Sequence, residues 1–220
     1  MSTLIPSLSA LVLVCAAFPT QLIRVASMTM TGASARQRAL VEQWGMPVLA
    51  AGVAALAWYV APLPDESLLP QWSLWLVIAV AVGAVGPAWE IGLGYAVALV
   101  RRRRVDRVAL HGSAPQRTIA VVSVCIVAVA EEVIFRWIGI DLLTSQLGWP
   151  VWAAIAVTSI VYGLNHLFYG WPTVGQKMVT GAIYGTLYVV SGHAVLVPVI
   201  VHVVHNVVVL TIVPRLGGRV

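Results

Sequence analysis

The chain has 220 residues, 60% of them hydrophobic and only 10% charged, with a mean hydropathy of +0.93. This lies outside the range of a soluble globular domain and indicates a polytopic membrane protein. The net charge of +5 does not call for a nucleic-acid partner, because basic loops on the cytoplasmic side of a membrane produce the same surplus.

Seven apolar runs, each near the ~20 residues that cross a bilayer, can be drawn in chain order. They are about Thr3 to Ile23, Trp44 to Leu63, Trp72 to Val100, Thr118 to Leu143, Trp149 to Leu167, Val174 to Val190 and Ala194 to Val213. Pro6 and Pro19 interrupt the first and Lys177 enters the sixth, so six or eight spans are the alternatives. Met1 to Phe18 has no Lys or Arg ahead of its apolar run and no small-residue cleavage site, and it is expected to be a retained span rather than a secretory signal. Cys15 follows Val14, which does not suit a lipoprotein signal. Cys15 and Cys125 lie in apolar stretches away from any CxxC spacing, so neither a disulfide nor a cysteine-bound zinc is expected.

The charges support this layout. With seven spans, Arg24, Arg36, Arg38, Arg101 to Arg104, Arg107, Arg117, Lys177, Arg215 and Arg219 all fall on one side, and only Arg136 lies within a span. The other side holds Asp65, Glu66 and the turn at Ser191 and Gly192. The positive-inside rule makes the basic side cytoplasmic, with the N-terminus outside and the C-terminus inside. Trp44, Trp72, Trp149 and Trp171 sit near span ends as interfacial anchors, and Gly181 and Gly185 form a GxxxG helix-packing signal. No repeat or long linker divides the chain, so residues 1–220 are expected to form one all-α transmembrane bundle.

The fourth span carries what lipid should exclude: Glu131, Glu132 and Arg136. A charge at bilayer depth costs at least ~2.5–3.5 kcal/mol on insertion scales, so such residues face a partner or a wet cavity. Glu132 and Arg136 are spaced i to i+4, the geometry of an ion pair. Adjacent helical residues diverge by about 100°, so Glu131 and Glu132 are expected to address different targets, with Glu131 the free carboxylate. His166 closes the fifth span in Tyr162-Gly163-Leu164-Asn165-His166, while His202 and Asn206 share one face of the seventh. At ~1.5 Å per residue, Glu131 lies roughly 20 Å from the cytoplasmic start of its helix and His202 roughly 15 Å from the end of its own. They can therefore meet in the cytoplasmic half of the bilayer. Such a group can activate a water with Glu131 and stabilise an oxyanion with His or Asn donors. Glu131, His166 and His202 are equally the ligand types of a hydrolytic zinc site. Glu90, with Pro87 in the long third span, is a second intramembrane acid expected to be a structural polar partner; His205, His111 and His193 are taken as structural.

Glu131 to Arg136 as EExxxR, Tyr162 to His166 as aromatic-xxxH and His202 to Asn206 as HxxxN, in this order, resemble the CAAX protease and bacteriocin-processing (CPBP, or Abi) family of intramembrane endopeptidases. The resemblance covers about residues 118–213, the catalytic core; Tyr162 stands where Phe is more usual. It implies that Glu131 is the general base assisted by His166, that His202 and Asn206 stabilise the oxyanion, and that Glu132 and Arg136 support the site. Members have been described both as metalloproteases and as glutamate-dependent enzymes without a metal, so a divalent ion such as zinc stays open. The expected partners are membrane lipid and a membrane-associated peptide or protein substrate, in a bacterial plasma membrane to judge by the Ala-, Val-, Arg- and Trp-rich style. HExxH, a rhomboid-type serine motif and paired intramembrane aspartates are all missing from the sequence. From a different class, a non-catalytic bacteriocin-immunity or scaffold protein, or a small proton-coupled transporter, is the alternative, although the inverted repeats common in transporters are not visible.

Overall fold

In the computed structural model, residues 19–60, 72–100, 102 and 118–213 are described, and they are helical with no strand among them. Helix α1 spans Pro19–Thr29, α2 Ala35–Val60 and α3 Trp72–Val100. Helix α4, Thr118–Glu132, continues through π-helical turns at Val133–Ile140 and Leu142–Gln146. Helix α5 is Val151–Leu164, α6 Trp171–Val190 and α7 Leu196–Val207, the last extended by π turns over Val208–Ile212. The first predicted span up to Phe18 with Cys15, the acids Asp65 and Glu66, Arg101, the segment from Arg103 to Arg117 with His111, and Arg215 and Arg219 lie outside the described residues.

Local chemistry explains several boundaries. Ser34 and Gln37 form a reciprocal capping box ahead of α2: the Ser34 N–H donates to Gln37 Oε1 at 2.8 Å, and the Gln37 N–H to Ser34 Oγ at 3.3 Å. That cap starts the helix at Ala35, nine residues ahead of the apolar run predicted from Trp44. Helix α3 runs through Pro87 without a break. Gly170, at φ +91°, turns the chain into α6, where Pro172 occupies the first turn, a place without need of its missing N–H. Trp72, Trp149 and Trp171 are exposed at helix ends, as interfacial anchors require.

By length and composition, α3 is the one helix among the described residues that can cross a membrane unaided. At ~1.5 Å per residue it is about 43 Å long, beyond the ~30 Å hydrocarbon core. Helix α5 and the rod Leu196–Ile212 are apolar but shorter. The described runs expected to span are thus all helical, but seven helices of full spanning length are not present among the described residues.

Small residues set how closely these rods approach. Helices α5 and α6 pack together through Gly181, where an added Cβ would stand 3.1 Å from Ser159 Cα, so the GxxxG pair is a contact surface. Helix α3 lies along α7 in the same manner: a Cβ on Gly83 would come within 2.6 Å of the Val201 carbonyl oxygen. Tyr184, Ala79, Val197 and Val201 make the apolar seam between α3, α6 and α7. Because the obstructing atom at Gly83 is backbone, it cannot rotate away. Gly83→Ala is expected to lower stability by about 1–3 kcal/mol through overpacking, outweighing the ~1 kcal/mol that Ala gains over Gly in helix propensity. Gly92→Ala on the same helix, with nothing within 4 Å, should be neutral or stabilising; thermal unfolding of both variants in detergent checks the contrast.

Candidate active site

Helix α4 brings Glu131 and Glu132 to the end of its regular turns and places Arg136 in the π turns that follow, a helix form concentrated at functional sites. All three side chains are buried. Glu132 is their hub. Its Oε1 accepts a hydrogen bond from His202 Nδ1 at 2.7 Å, and its Oε2 lies 3.1 Å from Arg136 Nε. The Arg136 N–H is not aimed along that second line, so the contact is an ion pair rather than an aligned hydrogen bond. Arg136 is held further by its Nη2 donating to the Gly181 carbonyl at 3.3 Å and by rings around its guanidinium. The guanidinium carbon is 4.5 Å from the Tyr162 ring centre and 5.5 Å from that of Tyr184, a cation–π setting that makes a buried Arg tolerable.

Glu131 lies on the other side of the same imidazole. Its Oε2 is 4.0 Å from His202 Nε2, while its Oε1 accepts from Asn165 Nδ2 at 2.9 Å. Two expectations are corrected here. The neighbouring acids do address one target, because an imidazole offers two nitrogens on different edges and each glutamate reaches one of them. Nor is Glu131 a free carboxylate, since Asn165 holds one oxygen and fixes the direction of the other. Residues with long, separately rotatable side chains can converge although their Cβ directions diverge. The depth estimate that placed Glu131 and His202 in one cavity agrees with their 4.0 Å separation.

His166 follows the last turn of α5. Its Nδ1 donates to the Tyr162 carbonyl at 3.0 Å; a carbonyl can only accept, so the neutral ring keeps its lone pair on Nε2. Its ring stands edge-on to Tyr162 at 5.0 Å, and Tyr162 stands edge-on to His202 at 6.2 Å. Tyr162 therefore links His166 to the acid cluster. Asn206, half-buried one turn beyond His202 on α7, makes no side-chain hydrogen bond among the described residues. Sequence reasoning missed Asn165, which its position at a helix end disguised as an ordinary C-terminal stop, and Tyr184, whose ring lies 5.3 Å from His202.

No three His, Cys, Asp or Glu side chains among the described residues are placed to hold a metal ion together. His202 spends Nδ1 on Glu132, and His166 joins through an aromatic ring rather than through a shared ligand point. The arrangement of the described residues does not fit a three-ligand metal centre.

Residues 113–208 match the family described as type II CAAX prenyl endopeptidase Rce1-like. Over this segment, somewhat less than half of the chain, the protein is similar to the CAAX protease family. The family is membrane-embedded and its members are proteases. No curated protein and no solved structure matches the chain. The Rce1-like segment includes every residue of the cluster just described, while α1, α2 and α3 precede it.

The hub predicts an asymmetry between the acids. Glu132→Ala leaves Arg136 buried without its counter-charge and His202 without its acceptor, and should destabilise the fold by about 3–5 kcal/mol. Glu131→Gln keeps an oxygen to accept from Asn165 and should unfold within a few degrees of the parent. Thermal unfolding of the two purified variants measures the difference; equal losses would contradict the hub assignment.

Proposed function

We propose that this protein is an intramembrane endopeptidase of the CAAX-protease type, cutting a peptide bond of a membrane-associated protein or peptide near the cytoplasmic face with a Glu131-activated water. The observation that carries the reading is the chain Glu131–His202–Glu132, with its 4.0 Å opening on one side and its 2.7 Å bond on the other. A single water can lie within ~2.8 Å of both Glu131 Oε2 and His202 Nε2 across that opening.

Glu131 removes a proton as the water oxygen adds to the scissile carbonyl, and the carbonyl electrons move onto its oxygen. The two side chains, 4.0 Å apart, close to hydrogen-bond distance as substrate binds, and the proton passes from Glu131 to His202 Nε2. The resulting imidazolium keeps Nδ1–H on Glu132, whose charge stabilises it, and presents Nε2–H to the oxyanion. The Asn206 amide supplies a second donor. When the tetrahedral intermediate collapses, the C–N bond breaks and the proton passes to the leaving amine, so the site returns to its starting state. His166, with its lone pair on Nε2, stands across the Tyr162 ring as an auxiliary base. Glu132 acts in the manner of the carboxylate that orients a catalytic imidazole in other hydrolases.

The same reading includes seven spans with the basic loops cytoplasmic, the N-terminus outside and the C-terminus inside, in a bacterial plasma membrane. The membrane-embedded family and the long apolar α3 support it.

The test uses protein reconstituted in liposomes and a quenched fluorescent peptide carrying a farnesylated CAAX end, alongside an unprenylated membrane peptide. Glu131→Gln should lower kcat by about 10²–10⁴-fold with the melting temperature kept. Asn206→Ala should lower it by about 10²–10³-fold. Full activity of the Glu131→Gln variant would sink the mechanism, and cleavage of neither peptide by the parent protein would favour a binding or transport role.

A further inference from the structure

Glu90 lies on α3, ahead of the Rce1-like segment, and is buried with only 4% of its surface exposed. It binds two helices at once. Its Oε1 accepts from Lys177 Nζ at 2.9 Å and from Thr180 Oγ1 at 3.0 Å, and its backbone carbonyl accepts from Gln176 Nε2 at 3.0 Å, all on α6. Its Oε2 lies 3.5 Å from His205 Nε2 on α7. Each of these helices carries active-site contacts close by. On α6, Gly181 and Tyr184 touch Arg136 and His202; on α7, His205 is one turn beyond His202.

We propose that Glu90 is a positioning residue for the peptidase site, setting the rotation of α7, and with it His202, from outside the catalytic segment. This rests on the protease reading above. A helix turns as a rigid rod, so any rotation that parts His205 from Glu90 turns His202 by the same angle, away from its 2.7 Å bond to Glu132 and its 4.0 Å approach to Glu131. Misplacement by ~1 Å costs about 10²-fold in rate when a reacting group must be aligned. The tight seat of α3 on α7 points the same way. Gly86 and Gly83 lie one and two turns before Glu90 on α3, and a Cβ on Gly86 would collide with His205 Nδ1. Glu90 thus meets a histidine already fixed against its own helix. Neutralising Lys177 is not a sufficient reason for Glu90, because a partly exposed lysine can extend its amine toward water on its flexible stem.

The test compares the parent protein with Glu90→Gln and with the double variant Glu90→Gln/Lys177→Met, in liposomes with the farnesylated CAAX peptide. Each is also labelled with ¹⁵N-histidine, the His202 ring signals being assigned from a His202→Gln spectrum. The expected result is a fall in kcat of at least about tenfold with KM within twofold and displaced His202 ring resonances. The double variant should regain the parent's melting temperature but not its kcat. Recovery of kcat in the double variant, kcat within twofold of the parent in Glu90→Gln, or unmoved His202 resonances would each overturn the proposal. If the parent cleaves nothing, the protease reading fails, and the His202 resonances alone decide the role of Glu90.

Discussion

The interior is organised around one carboxylate. Glu132 is fully buried, and it is shared between the Arg136 guanidinium and the His202 imidazole. Either group alone would be expensive at that depth: an unpaired Arg needs a counter-charge, and an unpaired His has no fixed tautomer. Sharing the acid joins the rod containing α4 to α7, while Arg136 reaches on to the Gly181 carbonyl of α6. Three helices are thereby held at one depth. The aromatic rings of Tyr162 and Tyr184 close over the ion pair and keep it dry.

That arrangement turns an insertion penalty into a means of orientation. The imidazole is held from one edge by Glu132, which leaves the other edge toward Glu131. Glu131 is in turn aimed by Asn165, the residue directly before His166. His202 and Glu131 thus each have their direction set by a neighbour on a different helix. Such preorganisation is what electrostatic stabilisation of a transition state needs, since no reorientation is required as charge develops. Helix α3 adds a second buried polar contact through Glu90, so α7 is gripped on both sides by glutamates: His202 by the pair on α4 and His205 by the acid on α3.

Much of this was legible in the chain. Among the described residues the apolar runs from Trp44 onward overlap helices, and the few residues that interrupt their apolar pattern, Glu131, Glu132, Arg136, His166 and His202, stood out by contrast. The i to i+4 spacing of Glu132 and Arg136 was sufficient to expect their ion pair, because within one helix geometry follows from sequence separation. Asn165, Tyr184 and the Glu90 contacts were not legible. Their partners lie 34 to 90 residues away along the chain or touch only ring to ring, and no local pattern encodes such distances. Helix α2 begins ahead of its apolar stretch because the capping box at Ser34 extends it into polar sequence.

By itself the sequence determined the helical class and the identity of the polar residues that stand out in an apolar chain, since both follow from composition and short-range periodicity. Only the tertiary structure decided how those residues divide their work. Whether two adjacent glutamates diverge or converge depends on what other helices present to them. Here His202 offers one ring edge to each, a relation set by the packing of α3, α4 and α7 and by no spacing within the motif.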